Sequence, residues 1–364
     1  MNREVISDKQ GVLIVVLFII GTNSIFVSGA SAEKDIWLAN IVATILGLGM
    51  GLIYARMHYI FHDKDMFDII EICFGRHIGR FLIVLLTLFY LEQLSNSPII
   101  VGEFIGTVSL SETPKIAIEI SIMLIGVYIV KKGIEVLGRW ANLFSLIYIA
   151  NMFIILFLLI PIIEINNIKP ILNNGLSPVF KGAFETFMFP FAQLLLLSSV
   201  FKNFRKRESP YKIYFIGVLI GGIIITSMSL VISLVLGIYE TSNLYFPSYS
   251  TFARISVKGF FQRIEILSGV SFIIGIFIKV SVHLMVASKG IAKIFNCSDY
   301  RFIVFPTALL TITVAQFSYE GIMELFEYNE IWYYYALPFY VILPLITYII
   351  AEIKKRKGLE KPRA

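Results

Sequence analysis

The sequence predicts an all-α, polytopic membrane protein of ten transmembrane helices, arranged as two inverted five-helix repeats in which helices 1 and 6 are broken. Three observations carry this. Hydrophobic residues make up 57% of the 364 residues, with 31 Phe and 18 Tyr, and mean hydropathy is +0.81, more apolar surface than a soluble core of this size hides. Ten apolar segments succeed one another with short charged connections. The first and sixth are interrupted by residues that hold a helix poorly in lipid, as two inverted repeats require.

The spans run approximately over 10–30, 36–57, 79–105, 115–131, 140–162, 183–201, 212–238, 262–289, 302–318 and 331–352, each near the length that crosses a bilayer. With the N-terminus inside, 23 of the 31 Lys and Arg fall on the cytoplasmic side and 7 outside, leaving Lys279 within span 8. The outer side also carries Glu320, Glu324, Glu327 and Glu330. This bias recurs at each loop and supports an even number of spans with both termini cytoplasmic. The chain reads as a single transmembrane domain over 1–364, with repeats at 10–162 and 183–352 and a basic cytoplasmic tail at 353–364. Positive-inside topology explains the net charge of +6 better than a nucleic-acid surface does. The hydrophobic start continues into nine further spans, so it reads as a retained first helix and not as a cleaved signal. Cys73 and Cys297 fall on the same cytoplasmic side, where no disulfide is expected.

Span 1, QGVLIVVLFIIGTNSIFVSGA, has Gly21-Thr22-Asn23-Ser24 at its middle. Glycine frees the backbone, and the three polar side chains compete for it with the helix ladder. Two readings stay open: a spanning helix with a small-residue packing face, or a discontinuous helix whose exposed ends bind something small. Span 6 repeats the signal at Glu185–Pro190, where Pro190 removes a donor and clashes with the preceding turn. Asp65–Gly75 is too charged to span and reads as an interfacial amphipathic helix. The outer stretches Pro161–Gly182 and Glu240–Phe261 are long enough to be either open connections or short re-entrant or interfacial helices.

Polar groups at membrane depth are costly and mark the bundle interior. Span 3 carries Tyr90, Glu92, Gln93, Ser95, Asn96, Ser97, Pro98 and Glu103; Glu92 lies near mid-depth and Glu103 near the outer end. Each acid serves either helix–helix hydrogen bonding or a water-lined route. Glu185 either draws a cation or caps the span 6 break, with Phe184, Phe187 and Phe189 as an apolar wall. Lys279 needs water or an acceptor, or loses its proton, unless it snorkels; beside the span 1 break it would stand where related folds hold a sodium ion. His283, one turn on, shares its face. Arg263 and Glu265 are two apart, so on a helix each needs another partner. No nucleophile elbow, phosphate loop, zinc motif or cysteine pair occurs, which leaves no basis for an enzyme, a metal or a cofactor.

Four segments together carry a resemblance: DKQGVLIVVLFIIGT, KKGIEVLGRWANLF, FETFMFPFAQ and FFQRIEIL, in this order and spacing across a ten-span chain. The whole chain resembles the B subunit of the nutrient germinant receptors of endospore-forming bacteria, members of the amino acid/polyamine/organocation transporter superfamily. The resemblance implies a LeuT-like bundle that senses a small nutrient (an amino acid, sugar or nucleoside) in the inner spore membrane, beside an A subunit and a lipoprotein C subunit. It implies a ligand pocket of Gly21, Thr22, Asn23 and Ser24 with Glu185, Thr186, Phe187 and Phe189, and Tyr90 as neighbour. Glu92, Glu103, Pro190, Lys279 and His283 are the candidates for coupling or gating. An amino acid or small-metabolite permease is the alternative.

Overall fold

A computed structural model of the protein describes residues 5–255, 263–319 and 321–358. The first helix, α1 (Asp8–Ile20), starts where Ser7 and Gln10 cap one another: the Ser7 hydroxyl accepts from the Gln10 backbone, and Gln10 Oε1 accepts from Ser7 N at 3.1 Å. There follow α2 (Ile36–Ile60), the short α3 (Met66–Phe74), α4 (Arg76–Val108), α5 (Lys115–Lys132) and α6 (Ile134–Leu159). The second half holds α7 (Ser177–Thr186), α8 (Leu195–Val200), α9 (Ser209–Asn243), α10 (Pro247–Ala253), α11 (Glu265–Ile294), α12 (Val304–Ser318), α13 (Ile322–Leu337) and α14 (Leu343–Arg356).

Seven segments among the described residues have the length and apolarity to cross a membrane. The expected first, fourth and ninth spans fall short of that: α1 has 13 residues and α12 has 15, while the 18 residues of α5 include Lys115, Glu119, Lys131 and Lys132. The outer helices turn large apolar side chains outward, as Leu146, Phe153 and Phe157 of α6 do at 71%, 70% and 73% exposure. Such a surface suits lipid and not water.

Two helices are wrapped by protein. Every residue of α1 from Gly11 to Ile20 except Leu13 is buried, as is nearly every residue of α11 from Ser271 to Ser288; a helix stretch apolar all round belongs inside a bundle. Glycines let α9 close on α1. A Cβ at Gly217 would fall 2.5 Å from Val15, and one at Gly221 would fall 2.8 Å from Ile19.

Both expected interruptions are real breaks. Helix α1 stops at Ile20 and the chain turns through 21–25. In the sixth span, a π-type turn over Phe187–Phe191 separates α7 from α8, and Phe189 leaves helical geometry at φ −135°, ψ 109°. The polar run at the first break has a structural duty. Asn23 Nδ2 donates to Ile19 O at 3.1 Å, and Ser24 Oγ donates to Ile20 O at 3.2 Å and to Gly21 O at 3.1 Å. These side chains satisfy carbonyls that a helix end leaves open in a medium without water.

Other elements refine the expectations. The amphipathic α3 buries Met66, Phe67, Ile69, Ile70 and Cys73 on one face. The outer stretch 161–182 is a connection with a 3-10 turn at Ile165–Ile168 before α7 begins. In Glu240–Phe261, α9 runs on to Asn243 and α10 follows; the part beyond 255 lies outside the described residues, as do Glu320 and the tail beyond 358. Basic residues Lys354, Lys355 and Arg356, expected in the tail, form the last turn of α14. Arg263 and Glu265 do pair, at 3.9 Å, contrary to expectation. The helical spacing rule does not reach them, because α11 begins at Glu265 and Arg263 sits outside it at φ 69°.

Candidate ligand-binding site

The two breaks open onto one cavity of about 570 Å³, within the range that small-molecule sites occupy. Thr22 contributes from the first break and Phe189 from the second. Gln93, Asn96 and Ser97 come from α4, Lys279 and His283 from α11, and Trp332 and Tyr333 from α13.

Lys279 is the chemical centre. It is 3% exposed, and its Nζ lies 3.4 Å from Thr22 Oγ1 and 3.7 Å from the centre of the Phe189 ring. The Phe18 ring lies 5.4 Å from the same nitrogen. A cation over an aromatic face is attracted to the ring quadrupole, so the side chain spans from one break to the other. Among the described residues no carboxylate pairs with it. Snorkelling is thereby replaced by an interior position. His283 approaches Lys279 through the backbone: its Nδ1 lies 2.8 Å from the Lys279 carbonyl, and its ring stacks on Phe18 at 5.8 Å.

Glu185 also lines the cavity, but its carboxylate is engaged. Oε1 accepts from Ser31 Oγ at 2.5 Å and Oε2 accepts from Ser31 N at 3.3 Å. It thus ties the second broken span to the chain that follows the first. Phe189 packs edge-on against Trp332 at 6.1 Å, which continues the aromatic wall.

Of the residues singled out from sequence, the cavity gathers Thr22, Glu185, Phe189, Lys279 and His283. The others stand elsewhere. Gly21 meets Gly275 backbone to backbone. Asn23 and Ser24 serve the helix end, and Ser24 Oγ also lies 3.2 Å from the Tyr148 hydroxyl. Thr186 donates to Asn40 Oδ1 at 2.9 Å, and Asn40 donates to Ser229 at 2.8 Å, a polar tie from α7 through α2 to α9. Phe187 and Pro190 are buried at the break. Tyr90 packs between Phe89 and the Phe67 ring of α3. Glu103 pairs with Lys115 at 2.6 Å and joins α4 to α5. Glu92 stands behind the cavity wall and hydrogen-bonds Gln93 and Asn96, which line it.

Sequence reasoning missed several contributors as site residues. Gln193 and the α4 amides Gln93 and Asn96 line the cavity; polar residues within apolar spans were the available signal. Trp332 and Tyr333 gave none, because aromatic residues are abundant throughout. Glu119 is a further buried carboxylate at membrane depth, 5% exposed, and it accepts from Gln316 Nε2 at 2.6 Å across α5 and α12.

The comparisons with known proteins agree with this architecture. The chain is similar to spore germination protein KB of Bacillus subtilis, at 28% identity over 364 residues covering 98% of this chain and 97% of that protein. It is similar to spore germination protein B2 of the same organism, at 20% identity covering 98% of each. Spore germination protein XB of Bacillus anthracis matches at 22% identity over 68% of this chain and 69% of its own. Among solved structures, the fold resembles that of Mhp1, a nucleobase-cation-symport-1 family transporter in a closed conformation with bromovinylhydantoin bound. The TM-score is 0.71 at 11% identity, covering 99% of this chain and 82% of that one. The bundle therefore has a LeuT-like transporter fold. Residues 5–321 match the family described as spore germination protein, and with a match over most of its length the chain belongs to that family.

Proposed function

We propose that this chain is the nutrient-sensing integral membrane subunit of a spore germination receptor. A small nutrient of the amino acid, sugar or nucleoside class enters the cavity between the two breaks and biases the bundle toward one conformation, which the rest of the receptor reads. The observation that carries this is Lys279, an ammonium without a carboxylate partner among the described residues, spanning Thr22 of one break and Phe189 of the other inside the cavity. A ligand shifts an equilibrium only through contacts that differ between its states. A site walled by two broken spans, α4, α11 and α13 has contacts of that kind.

In this reading Thr22, Glu185 and Phe189 contact the nutrient, while Lys279 and His283 couple its arrival to the helices. Gly21, Asn23, Ser24 and Thr186 hold the shape of the breaks. The receptor A subunit and the lipoprotein C subunit are the partners, both termini are cytoplasmic, and the inner spore membrane is the location. Relatives named as spore germination proteins support the role. Neither the family nor the transporter fold points to an enzyme.

The transporter fold itself favours a second reading, a permease for an amino acid or other small metabolite. Binding of labelled nutrients to the purified receptor, paired with uptake into vesicles that hold this chain alone, separates the two. Binding without accumulation supports the sensor. Accumulation supports the permease, and a panel of amino acids, sugars and nucleosides that neither binds nor accumulates removes both.

A further inference from the structure

Tyr59, in the last turn of α2, has three cations gathered about its ring. Arg207, which precedes α9, holds its guanidinium 4.6 Å from the ring centre and donates from Nε to the Tyr59 carbonyl at 3.0 Å. Arg56 of α2 lies 5.7 Å from the same ring, and Lys355, in the last turn of α14, lies 5.8 Å from it. An aromatic face attracts a cation, but three cations about one ring repel one another. Glu352 answers part of this charge by accepting from Arg56 at 2.5 and 3.3 Å. Among the described residues, no carboxylate forms an ion pair with Arg207 or Lys355.

The cluster stands at the end of an apolar strip. Ile45, Gly49 and Leu52 are exposed on α2, and their spacing of three and four keeps them in line with Arg56 and Tyr59. A Cβ on Gly49 would meet nothing within 4 Å, so the strip is open there. Helix α9 reaches its end through Tyr211, whose ring is 5.9 Å from that of Tyr59, and α14 reaches it through Glu352. One turn further from the cluster, Phe215 of α9 and Ile349 of α14 are exposed as well. Apolar surface of this kind suits lipid, and aromatic and basic side chains at its end mark the headgroup level.

We infer that the converging ends of α2, α9 and α14 form a binding site for one anionic phospholipid. Arg207 and Lys355 take its phosphate beside Tyr59, and an acyl chain lies along Ile45, Gly49 and Leu52. Charge and shape select this occupant. A zwitterionic lipid brings a cation of its own to a place already rich in cations, and a soluble anion leaves the strip uncovered. The site shares no residue with the nutrient cavity.

Native mass spectrometry of the full-length chain in detergent tests this, by titration with dioleoylphosphatidylglycerol or dioleoylphosphatidylcholine. The anionic lipid is expected to bind at least about tenfold more tightly than the zwitterionic one. Arg207→Gln combined with Lys355→Gln should weaken the anionic lipid by about tenfold or more, near fivefold for each cation, and leave the zwitterionic lipid unchanged. Arg76→Gln combined with Arg139→Gln removes two exposed cations from the same end of the bundle and should change neither affinity. An equal loss in the two double variants would mean diffuse attraction to a basic face and overturns the site. So does a wild-type preference near one. Displacement of the lipid by an equal concentration of glycerol 3-phosphate would make this a site for soluble phosphates and overturns the lipid assignment. Should the first double variant not accumulate, Lys355→Gln alone is expected to lose about fivefold, and an unchanged affinity overturns the proposal.

Discussion

A Cβ built on Gly275 would lie 2.2 Å from the Cα of Gly21, and one built on Gly21 would lie 2.8 Å from the carbonyl carbon and oxygen of Gly275. The end of α1 and the middle of α11 cross backbone against backbone. The crossing comes one helical turn before Lys279, so it sets the height at which the ammonium meets the first break.

Gly275→Ala is therefore expected to be severely destabilising, because backbone cannot give way as a flexible side chain does. Overpacking of this kind costs about 1–3 kcal/mol or more. Thermal denaturation in detergent and the level of folded protein measure it. Gly49→Ala, whose Cβ meets nothing within 4 Å, is the matched control and is expected to hold or slightly raise stability.

Lys279→Met keeps most of the side-chain volume and removes the charge. Replacing a buried, unpaired charge by an apolar group is neutral or stabilising for the fold, so the protein should accumulate normally. The nutrient concentration giving half-maximal germination should rise by about tenfold or more, the scale of a charged hydrogen bond. An unchanged dose response at a normal protein level would remove Lys279 from the site.

The Glu185–Ser31 contact ties the second broken span to the chain that follows the first, and a hydrogen bond to a charged group is worth about 1.5–3 kcal/mol. Glu185→Gln and Ser31→Ala should each shift the dose response. Because both weaken the same contact, one by removing its charge and the other its hydroxyl, the double variant should be worse by less than the sum of the two singles. Additive shifts in a double-mutant cycle would show that the two side chains act separately.

At the end of the bundle expected to face the cytoplasm, Asp68 of α3 accepts from Lys293 at 2.8 Å and from Lys202 at 2.9 Å. Burial alone would raise its pKa, but the hydrogen bonds from Lys293 and Lys202 more than offset this and hold the carboxyl at about 2, against an ordinary 3.8. With the folded value below the unfolded one, the stabilisation is complete above about pH 4 and is lost as the pH falls toward 2. Since both lysines are partly exposed, it amounts to about 1–2 kcal/mol. Melting temperature should fall across that window in the wild type. Asp68→Asn should melt lower at neutral pH and show a smaller fall on acidification.

Much of the fold was legible because apolarity at membrane length belongs to a segment by itself. The runs later found as α2, α4, α6, α9 and α11 announce themselves wherever they pack. Both breaks were legible too, since Gly21 through Ser24 and Pro190 conflict with a helix locally. The direction of each polar side chain was not. Asn23 and Ser24 looked like pocket residues from their neighbours, yet the open carbonyls of Ile19 and Ile20 claim them. Thr186 looked the same and is claimed by Asn40.

By itself the sequence determined a helical membrane bundle with two interrupted spans, a steep bias of positive charge, and a lysine at a depth where it needs an interior place. Only the tertiary structure decided that Lys279 meets Thr22 and Phe189 together, that Glu185 is held by Ser31, and that Gln93 and Asn96 line the same cavity as Lys279. The reason is physical. Hydropathy and helix breaking are written into short stretches of chain, whereas a cavity is bounded by residues far apart in sequence, and which of their faces turn inward depends on close approaches such as Gly21 against Gly275.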